Sequence, residues 1–194
     1  MPVLVHGLPA GCRRAAARLY WQAFGGKLGA VMGPEDRALA YLERVIREDH
    51  ALAVLDDDGA LLGLAGFKTP RGAFADGGMA DLAAVYGRWG ALWRGACLRL
   101  MQCDVDNARF LIDGLCVERA LRGRGIGTAL IGALCDEARA RGYAQVRLDV
   151  IDTNWRARAL YERLGFAAVR SAPLGPLRLL FGFSRAVTMV RDLP

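Results

Sequence analysis

Serine and histidine are scarce in this sequence. The only serines are Ser171 and Ser184, and no G-x-S-x-G motif is present, which argues against a serine hydrolase. His6 and His50 are far apart, and no two of the five cysteines form a C-x-x-C pair. The sequence therefore predicts no metal site.

Two common phosphate-binding motifs are also missing. A P-loop needs a Lys-Ser or Lys-Thr pair after a glycine, whereas the pair Lys68-Thr69 follows Phe67. The dinucleotide fingerprint G-x-G-x-x-G fails after Gly125-Ile126-Gly127, because the next three residues include no glycine. These absences argue against both kinds of nucleotide site.

The beginning of the sequence shows no secretion signal, since His6 and Pro9 interrupt any apolar run. The odd number of cysteines argues against a disulfide framework. From these features and the length we expect a reduced, cytoplasmic protein with a single domain over residues 1–194. The net charge of +6 suits an anionic ligand, but scattered basic residues predict no nucleic-acid partner.

A loop of glycine and arginine is the most informative segment of the chain. Residues 122–127 read R-G-R-G-I-G, between a strand-like run (Leu111 to Val117) and a helix-like run (Thr128 to Arg141). Glycine permits a tight turn and a close backbone approach, and unpaired N–H groups at a helix start attract anions. Nearby arginines are Arg119, Arg122 and Arg124. Taken alone, the loop fits a phosphate cradle or a simple turn equally well.

The residues after the loop predict a βαβ unit. Apolar residues recur at helical spacing from Leu130 to Ala138, and Gly142 stands where a C-terminal cap is expected. From Gln145 to Val150 apolar and polar residues alternate, as in a half-buried strand. The connection between the two strands should be right-handed.

A second helix is predicted from an N-cap at Thr153 or Asn154 to Leu164, where Gly165 ends it. Within it, Asn154 and Tyr161 fall on one face at a spacing of seven residues. From spacing alone, Tyr161 is better explained by packing in an apolar core.

Two segments of the chain resemble the signatures of the GNAT superfamily of N-acetyltransferases. The loop at 122–127 is similar to R/Q-x-x-G-x-G/A, and residues 154–166, N-W-R-A-R-A-L-Y-E-R-L-G-F, are similar to N-x-x-A-x-x-L-Y-x-x-x-G-F. The resemblance covers about residues 111–170, roughly a third of the chain. It implies an α/β fold with a mixed, mostly antiparallel sheet of six or seven strands flanked by helices. A helical insertion at residues 70–107 would precede the cofactor-binding strand.

The resemblance implies acetyl-CoA as cosubstrate, with its pyrophosphate on backbone N–H groups of the loop. The pantetheine arm would run beside the preceding strand and be bound by Asn154, and Tyr161 would protonate the leaving thiolate. The cofactor-binding residues implied are Leu115, Cys116, Val117, Arg122, Gly123, Arg124, Gly125, Ile126, Gly127, Thr128, Asn154 and Tyr161.

Acyl transfer to an amine also needs a base, because deprotonating an alkylammonium at pH 7 costs about 4–5 kcal/mol. Asp149 is one candidate, although it is one methylene shorter than the glutamate of similar ribosomal-protein N-acetyltransferases. Asp113 and Glu118 are the others, since related enzymes often place an acid on or after that strand. An ordinary surface acid is an open alternative for each. Cys116 lies in an apolar strand, which favours an inert thiol over a nucleophile.

The remaining residues fit the same order of elements. The predicted elements are a strand at Val3–Gly7, helices at Cys12–Phe24 and Pro34–Glu48, a hairpin of Ala51–Leu55 with Leu61–Lys68, and final strands at Ala167–Arg170 and Ala186–Arg191.

Two segments, residues 70–107 and 172–185, are additions to the minimal pattern of the family that the sequence resembles. Arginines interrupt the apolar run from Asp81 to Cys103, so we expect no membrane span but an amphipathic helix, or a pair broken near Gly90 and Gly95. We hypothesise that Trp89, Trp93 and Phe181 wall an acceptor pocket; contact with the core or with a second subunit is the alternative.

Three functions remain open at this point. An N-acetyltransferase for a primary amine of a small molecule or protein fits the signatures best. An acyl-CoA-binding sensor without turnover is the alternative, because the base is unsettled, and a basic partner-binding module is a third. The identity of the acceptor and the oligomeric state, including a homodimer, cannot be read from the sequence.

Overall fold

A computed structural model describes residues 2–101, 108–175 and 178–194. The strands are β1 (Val3–His6), β2 (Ala51–Leu55), β3 (Leu61–Thr69), β4 (Gly72–Ala73), β5 (Phe110–Val117), β6 (Gln145–Ile151), β7 (Ala167–Pro173) and β8 (Arg185–Asp192). The helices are α1 (Arg13–Met32), α2 (Glu35–Val45), α3 (Met79–Met101), α4 (Ile126–Ala140), α5 (Trp155–Arg163) and α6 (Arg178–Phe181).

The strands form one mixed sheet in the order β1-β2-β3-β5-β6-β8-β7, with the two-residue β4 paired to β3. All neighbouring strands are antiparallel except β5 and β6, which are parallel and joined through α4. The predicted βαβ unit and the mostly antiparallel sheet are therefore confirmed. The strand count is eight rather than six or seven, because β4 adds a short edge pairing.

The two parallel strands stay together for only two residues. Phe110 lies opposite Val146 and Leu111 opposite Arg147, after which β5 pairs with β3 alone and β6 with β8 alone. A gap therefore opens between β5 and β6 beyond Leu111. Along this gap one set of backbone N–H and C=O groups of β5 has no strand partner, so it is available to a ligand.

A β-bulge in β5 lies at the start of this gap. Gly114 lies opposite Gly66 and Ile112 opposite Phe67, which leaves Asp113 as the extra residue. The bulge reverses which side chains face each side of the sheet. Ile112 faces the α4 side before it, and Leu115 and Val117 face that side after it.

The core divides between the two faces of the sheet. On one face α4 buries Leu130, Ile131 and Leu134, at the helical spacing seen in the sequence. On the other face α1 buries Ala16 and Leu19. Each fully buried leucine of this kind contributes about 2–5 kcal/mol when judged by truncation to alanine, and this packing fixes the frame around the gap.

Helices α1 and α3 differ most from their predicted bounds. Helix α1 runs on from Phe24 to Met32, because burial of Val31 and Met32 outweighs the weak helix propensity of three glycines. Helix α3 is broken at Gly87, whose φ of 72° lies in the left-handed region, and not at Gly90 or Gly95. Residues 102–107, including Cys103, and Leu177 lie outside the described residues.

None of the helices in the described ranges is both long and apolar enough to cross a membrane.

Candidate active site

The glycine loop leads directly into α4. Gly123 and Gly125 have φ values of 82° and 85°, in the left-handed region that favours glycine. Within the described chain, the N–H groups of residues 123–128 donate to no protein acceptor, and no side chain caps the helix. Arg122 Nε donates to the carbonyl of Val117 at 3.2 Å and ties the loop to the end of β5. These unpaired N–H groups fit a pyrophosphate.

The two signature segments meet beside the gap between β5 and β6. A methyl group added at Gly127 would lie 3.4 Å from Leu160 of α5, and 3.8 and 3.9 Å from Leu115 and Val117 of β5. The start of α4, the end of β5 and helix α5 therefore surround one space. Cys116 lies on the opposite face of β5 and is buried.

Asn154 has a structural role that its spacing only partly indicates. Its side-chain oxygen accepts from the N–H of Ala157 at 3.3 Å, so it is the N-cap of α5. The residue is exposed, and its amide Nδ2 donates to no described group, which leaves a donor for a ligand.

Tyr161 lies in the core cluster that Leu115 and Val117 of β5 also pack against, with its ring 6.0 Å from that of Phe166. Burial and, to a smaller extent, the nearby Cys116 thiol raise the pKa of Tyr161 to about 12. The hydroxyl therefore keeps its proton throughout the neutral range and can act as an acid, not as a base.

A cavity of about 480 Å³ opens where β5 and β6 part. The strands contribute Lys68 of β3, Leu111, Ile112 and Asp113 of β5 and Asp149 of β6. The helices contribute Tyr20, Trp21, Lys27, Leu28 and Met32 of α1, Ala38, Tyr41 and Leu42 of α2, and Met79, Leu82, Gly95, Leu98 and Arg99 of α3. Its volume suits a small ligand.

Asp113 and Asp149 flank the mouth of the gap. They stand two residues beyond the last strand pair, Leu111 opposite Arg147, on β5 and β6 respectively. Burial raises the pKa of Asp113, whereas Lys68, the N–H of Ala75 and Lys27 act to lower it. The charged form of Asp113 is therefore less favoured than that of an ordinary aspartate. The carboxylate accepts a proton more readily as a result, as a general base requires.

Asp149 has different surroundings. Its Oδ1 accepts from the Thr188 hydroxyl at 2.5 Å and its Oδ2 from an Arg147 nitrogen at 3.2 Å. Both carboxylate oxygens are therefore engaged by protein donors, which holds this side chain in one position and suits a role in orienting the acceptor.

Glu118 lies apart from the other two acids. It accepts from Gln22 Nε2 at 3.0 Å and from the N–H of Arg119 at 2.9 Å. It lines a separate depression of about 220 Å³ between α1 and the start of β3. The structure therefore brings Asp113 and Asp149 together and leaves Glu118 outside their cavity.

The aromatic side chains expected to wall the pocket do not line this cavity. Trp89 and Trp93 point outward from α3, with Trp89 86% exposed, and Phe181 is buried against Phe183. Helix α3 lines the cavity through another face, which includes Leu98 and Arg99. The run from Asp81 to Cys103 is apolar on several sides, so its pattern alone could not select this face.

No cluster of three or more histidine, cysteine or acidic side chains suited to a metal ion occurs in residues 2–101, 108–175 and 178–194.

The parted parallel strands, the glycine-rich helix start and the adjoining cavity together define an acetyltransferase architecture. The sequence pattern of the acetyltransferase (GNAT) family matches residues 14–166. The chain therefore belongs to this family, which confirms the resemblance and, at the level of the family, the expected class of enzyme.

Two curated relatives match parts of the chain. The mycothiol acetyltransferase of Beutenbergia cavernae is 46% identical over 76 residues, which are 39% of this chain and 26% of that protein. The streptothricin acetyltransferase of Streptomyces lavendulae is 35% identical over 94 residues, 48% of this chain and 41% of that protein. The chain thus matches less than half the length of either relative.

A solved structure shares the fold over nearly the whole chain. An N-acetyltransferase from Staphylococcus aureus Mu50 superimposes with a TM-score of 0.67 over 97% of this chain and 99% of that one. The sequence identity is 17%, so this likeness shows the fold alone.

Proposed function

We propose that this protein transfers an acetyl group from acetyl-CoA to a primary amine of a small molecule. The observation that carries the proposal is the position of the cavity, which opens with two carboxylates where the strands of the cofactor gap part. An amine in the cavity would therefore meet an acyl group lying in the gap.

The proposed cofactor site uses the groups that the fold leaves unpaired. The N–H groups of residues 123–128 would hold the pyrophosphate, and the free edge of β5 at Leu115, Cys116 and Val117 would hydrogen-bond the pantetheine arm. Arg122 and Arg124 would add positive charge. Bound there, acetyl-CoA supplies an activated acyl carbonyl at the cavity mouth.

Asp113 is the proposed general base. It accepts one proton from the acceptor ammonium, and the freed nitrogen forms a bond to the acyl carbon. An N–H of β5 stabilises the developing oxyanion. The carbon–sulfur bond then breaks, and Tyr161 donates its proton to the sulfur. The second nitrogen proton returns to Tyr161 through solvent, which completes the proton balance.

A small acceptor is favoured over a protein by the size of the cavity, about 480 Å³. The names of the two curated relatives, which refer to mycothiol and streptothricin, support the same choice. A cytoplasmic setting completes the proposal, since the described cysteines are free thiols.

Thiol release from acetyl-CoA in the presence of an amine panel tests this proposal. We expect turnover that depends on both acetyl-CoA and an amine. Tight CoA binding without turnover for any amine would instead indicate a sensor. Absence of CoA binding would contradict both functions.

Replacing Gly125 with alanine should weaken CoA binding by about tenfold. Alanine in the left-handed conformation costs about 1–2 kcal/mol, so the loop would shift its N–H groups to relieve the strain. The dissociation constant of CoA measured by calorimetry gives the result.

Gly132→Ala is the matched control, because Gly132 is an exposed interior residue of α4 with no close neighbour. Alanine there should raise Tm slightly through helix propensity and leave CoA affinity unchanged. Wild-type affinity in Gly125→Ala would argue against the loop as the pyrophosphate site.

A further inference from the structure

The two lysines of the chain line the same cavity. Lys27 and Lys68 are the only lysines among its 26 basic residues, and every other basic position is arginine. Lysine differs from arginine in carrying a compact, strongly hydrated point charge. Both ammonium groups that lysine side chains supply in this chain therefore lie at this cavity.

The charged residues of the cavity come from five different elements. Carboxylates occur on β5 and β6, at Asp113 and Asp149, beside the gap. Cations occur on α1, β3 and α3, at Lys27, Lys68 and Arg99. The lining therefore carries three formal positive and two formal negative charges.

The register of the sheet gives the distance between Lys68 on β3 and the strand that carries Asp149. Lys68 lies opposite Leu111 of β5, and Leu111 lies opposite Arg147 of β6. Two strand spacings, about 10 Å, therefore separate the backbone of Lys68 from the β6 strand that carries Asp149. A ligand whose amine lies at the gap can place a second group near Lys68 within that distance.

Helix α3 limits the space above the cavity. Its two parts fold back at Gly87, so a methyl group added at Gly95 would come within 2.5 Å of the Met79 sulfur. The Tyr86 hydroxyl donates to the carbonyl of Met32 at 2.5 Å, and Arg94 donates to the carbonyl of Gly33 at 3.2 Å. These contacts hold α3 on α1 and favour a compact ligand.

We propose that the acceptor is a small molecule carrying both a primary amine and, within about 10 Å of it, an anionic group such as a carboxylate or phosphate. This inference rests on the proposed function. The amine faces Asp113 and Asp149 in the gap, and the anion faces Lys68, Lys27 and Arg99. A polyamine would place extra ammonium groups beside these three cations, at an energetic cost.

A panel of matched amines tests the inference. It comprises 5-aminopentanoate, 4-aminobutyl phosphate, neutral 5-aminopentanol and 1,5-diaminopentane, each assayed for thiol release at low ionic strength. We expect kcat/KM for one or both anionic amines to exceed that of the alcohol by at least about tenfold, and the diamine to be poorest. The two anionic amines distinguish carboxylate from phosphate recognition.

Arg99→Glu provides the second readout, since it reverses the charge of an exposed cavity residue that lies on α3 and not on the strands of the gap. The ratio of kcat/KM between 5-aminopentanoate and 1,5-diaminopentane should fall by at least about tenfold, whereas a general loss of structure would lower both values together. Lys68→Met should lower the ratio in the same direction. Arg88→Glu is the control, because Arg88 is exposed on the same helix but does not line the cavity.

The outcomes separate the two proposals. Turnover that favours the alcohol or the diamine, or an unchanged ratio in Arg99→Glu, overturns the anionic acceptor and leaves the acetyltransferase intact. An equal change of ratio in Arg88→Glu overturns it too, because the effect would then be long-range. No thiol release with any amine contradicts the proposed function, and this inference with it.

Discussion

Replacing Asp113 with asparagine is expected to lower kcat by about 10²–10⁴-fold, the usual contribution of general base catalysis. Asparagine keeps the size of the side chain and can still accept the N–H of Ala75, but it cannot take a proton from the acceptor. Steady-state thiol release at saturating acetyl-CoA measures the effect. The dissociation constant of CoA should change little.

Asp149→Asn is the matched comparison for this experiment. It also removes a carboxylate from the cavity mouth, but one whose oxygens already accept from Thr188 and Arg147. We expect a smaller loss of kcat/KM, which arises mainly from a higher KM for the amine. A larger loss of kcat in Asp149→Asn than in Asp113→Asn would assign the base to Asp149 instead.

The pH dependence follows from the direction of the Asp113 pKa. Because burial raises that pKa above 3.8, the base becomes active only as pH rises through the raised value. The acidic limb of kcat should therefore lie above the range of an ordinary aspartate, and Asp113→Asn should lack it. A limb that persists in the variant would indicate another titrating group.

The raised pKa of Asp113 also predicts how the stability of the protein depends on pH. With its pKa raised on folding, Asp113 binds more protons in the folded state, so stability falls as pH rises from the unfolded pKa to the folded pKa. Asp113→Asn removes this loss and should raise Tm near pH 7, with the gain disappearing below about pH 4. Each kcal/mol gained corresponds to about 2–4 °C in a protein of this size.

The parts of the site that sequence predicts well are local. The left-handed glycines 123 and 125, the N-cap Asn154 and the stop at Gly165 act within one turn of the chain, so their residue types indicate their geometry directly. The alternation of β6 similarly identifies its buried face. These signals sufficed for the βαβ unit and for the family.

The acceptor cavity depends on contacts that no local pattern encodes. Lys27, Lys68 and Arg99 come from three separate elements and meet only because β3 lies beside β5 and α3 packs on α1. The bulge at Asp113 is invisible in the sequence, because it is defined by pairing with β3. The position of Trp89 outside this cavity has no local signal either, since a tryptophan on an apolar helix can face either way.

Tyr161→Phe is expected to lower kcat by about 10²-fold without weakening CoA binding. The variant removes the hydroxyl and keeps the ring that packs near Phe166. That hydroxyl forms no hydrogen bond with the described residues, so its loss should leave Tm unchanged or slightly higher. Single-turnover assays and CoA calorimetry on the variant measure the two effects.

The pKa of about 12 raises the question of whether Tyr161 can protonate a thiolate. Against an ordinary thiol pKa near 8.5, the transfer is uphill by about 5 kcal/mol. Loss of hydration in the gap would raise the pKa of the coenzyme thiol as well, which offsets part of the difference. The wild type should therefore show no alkaline limb from Tyr161 below about pH 10. If the wild type shows an alkaline limb below that pH and Tyr161→Phe lacks it, the hydroxyl titrates at a much lower pH than its burial implies. If the variant keeps the full kcat, the proton donor is solvent.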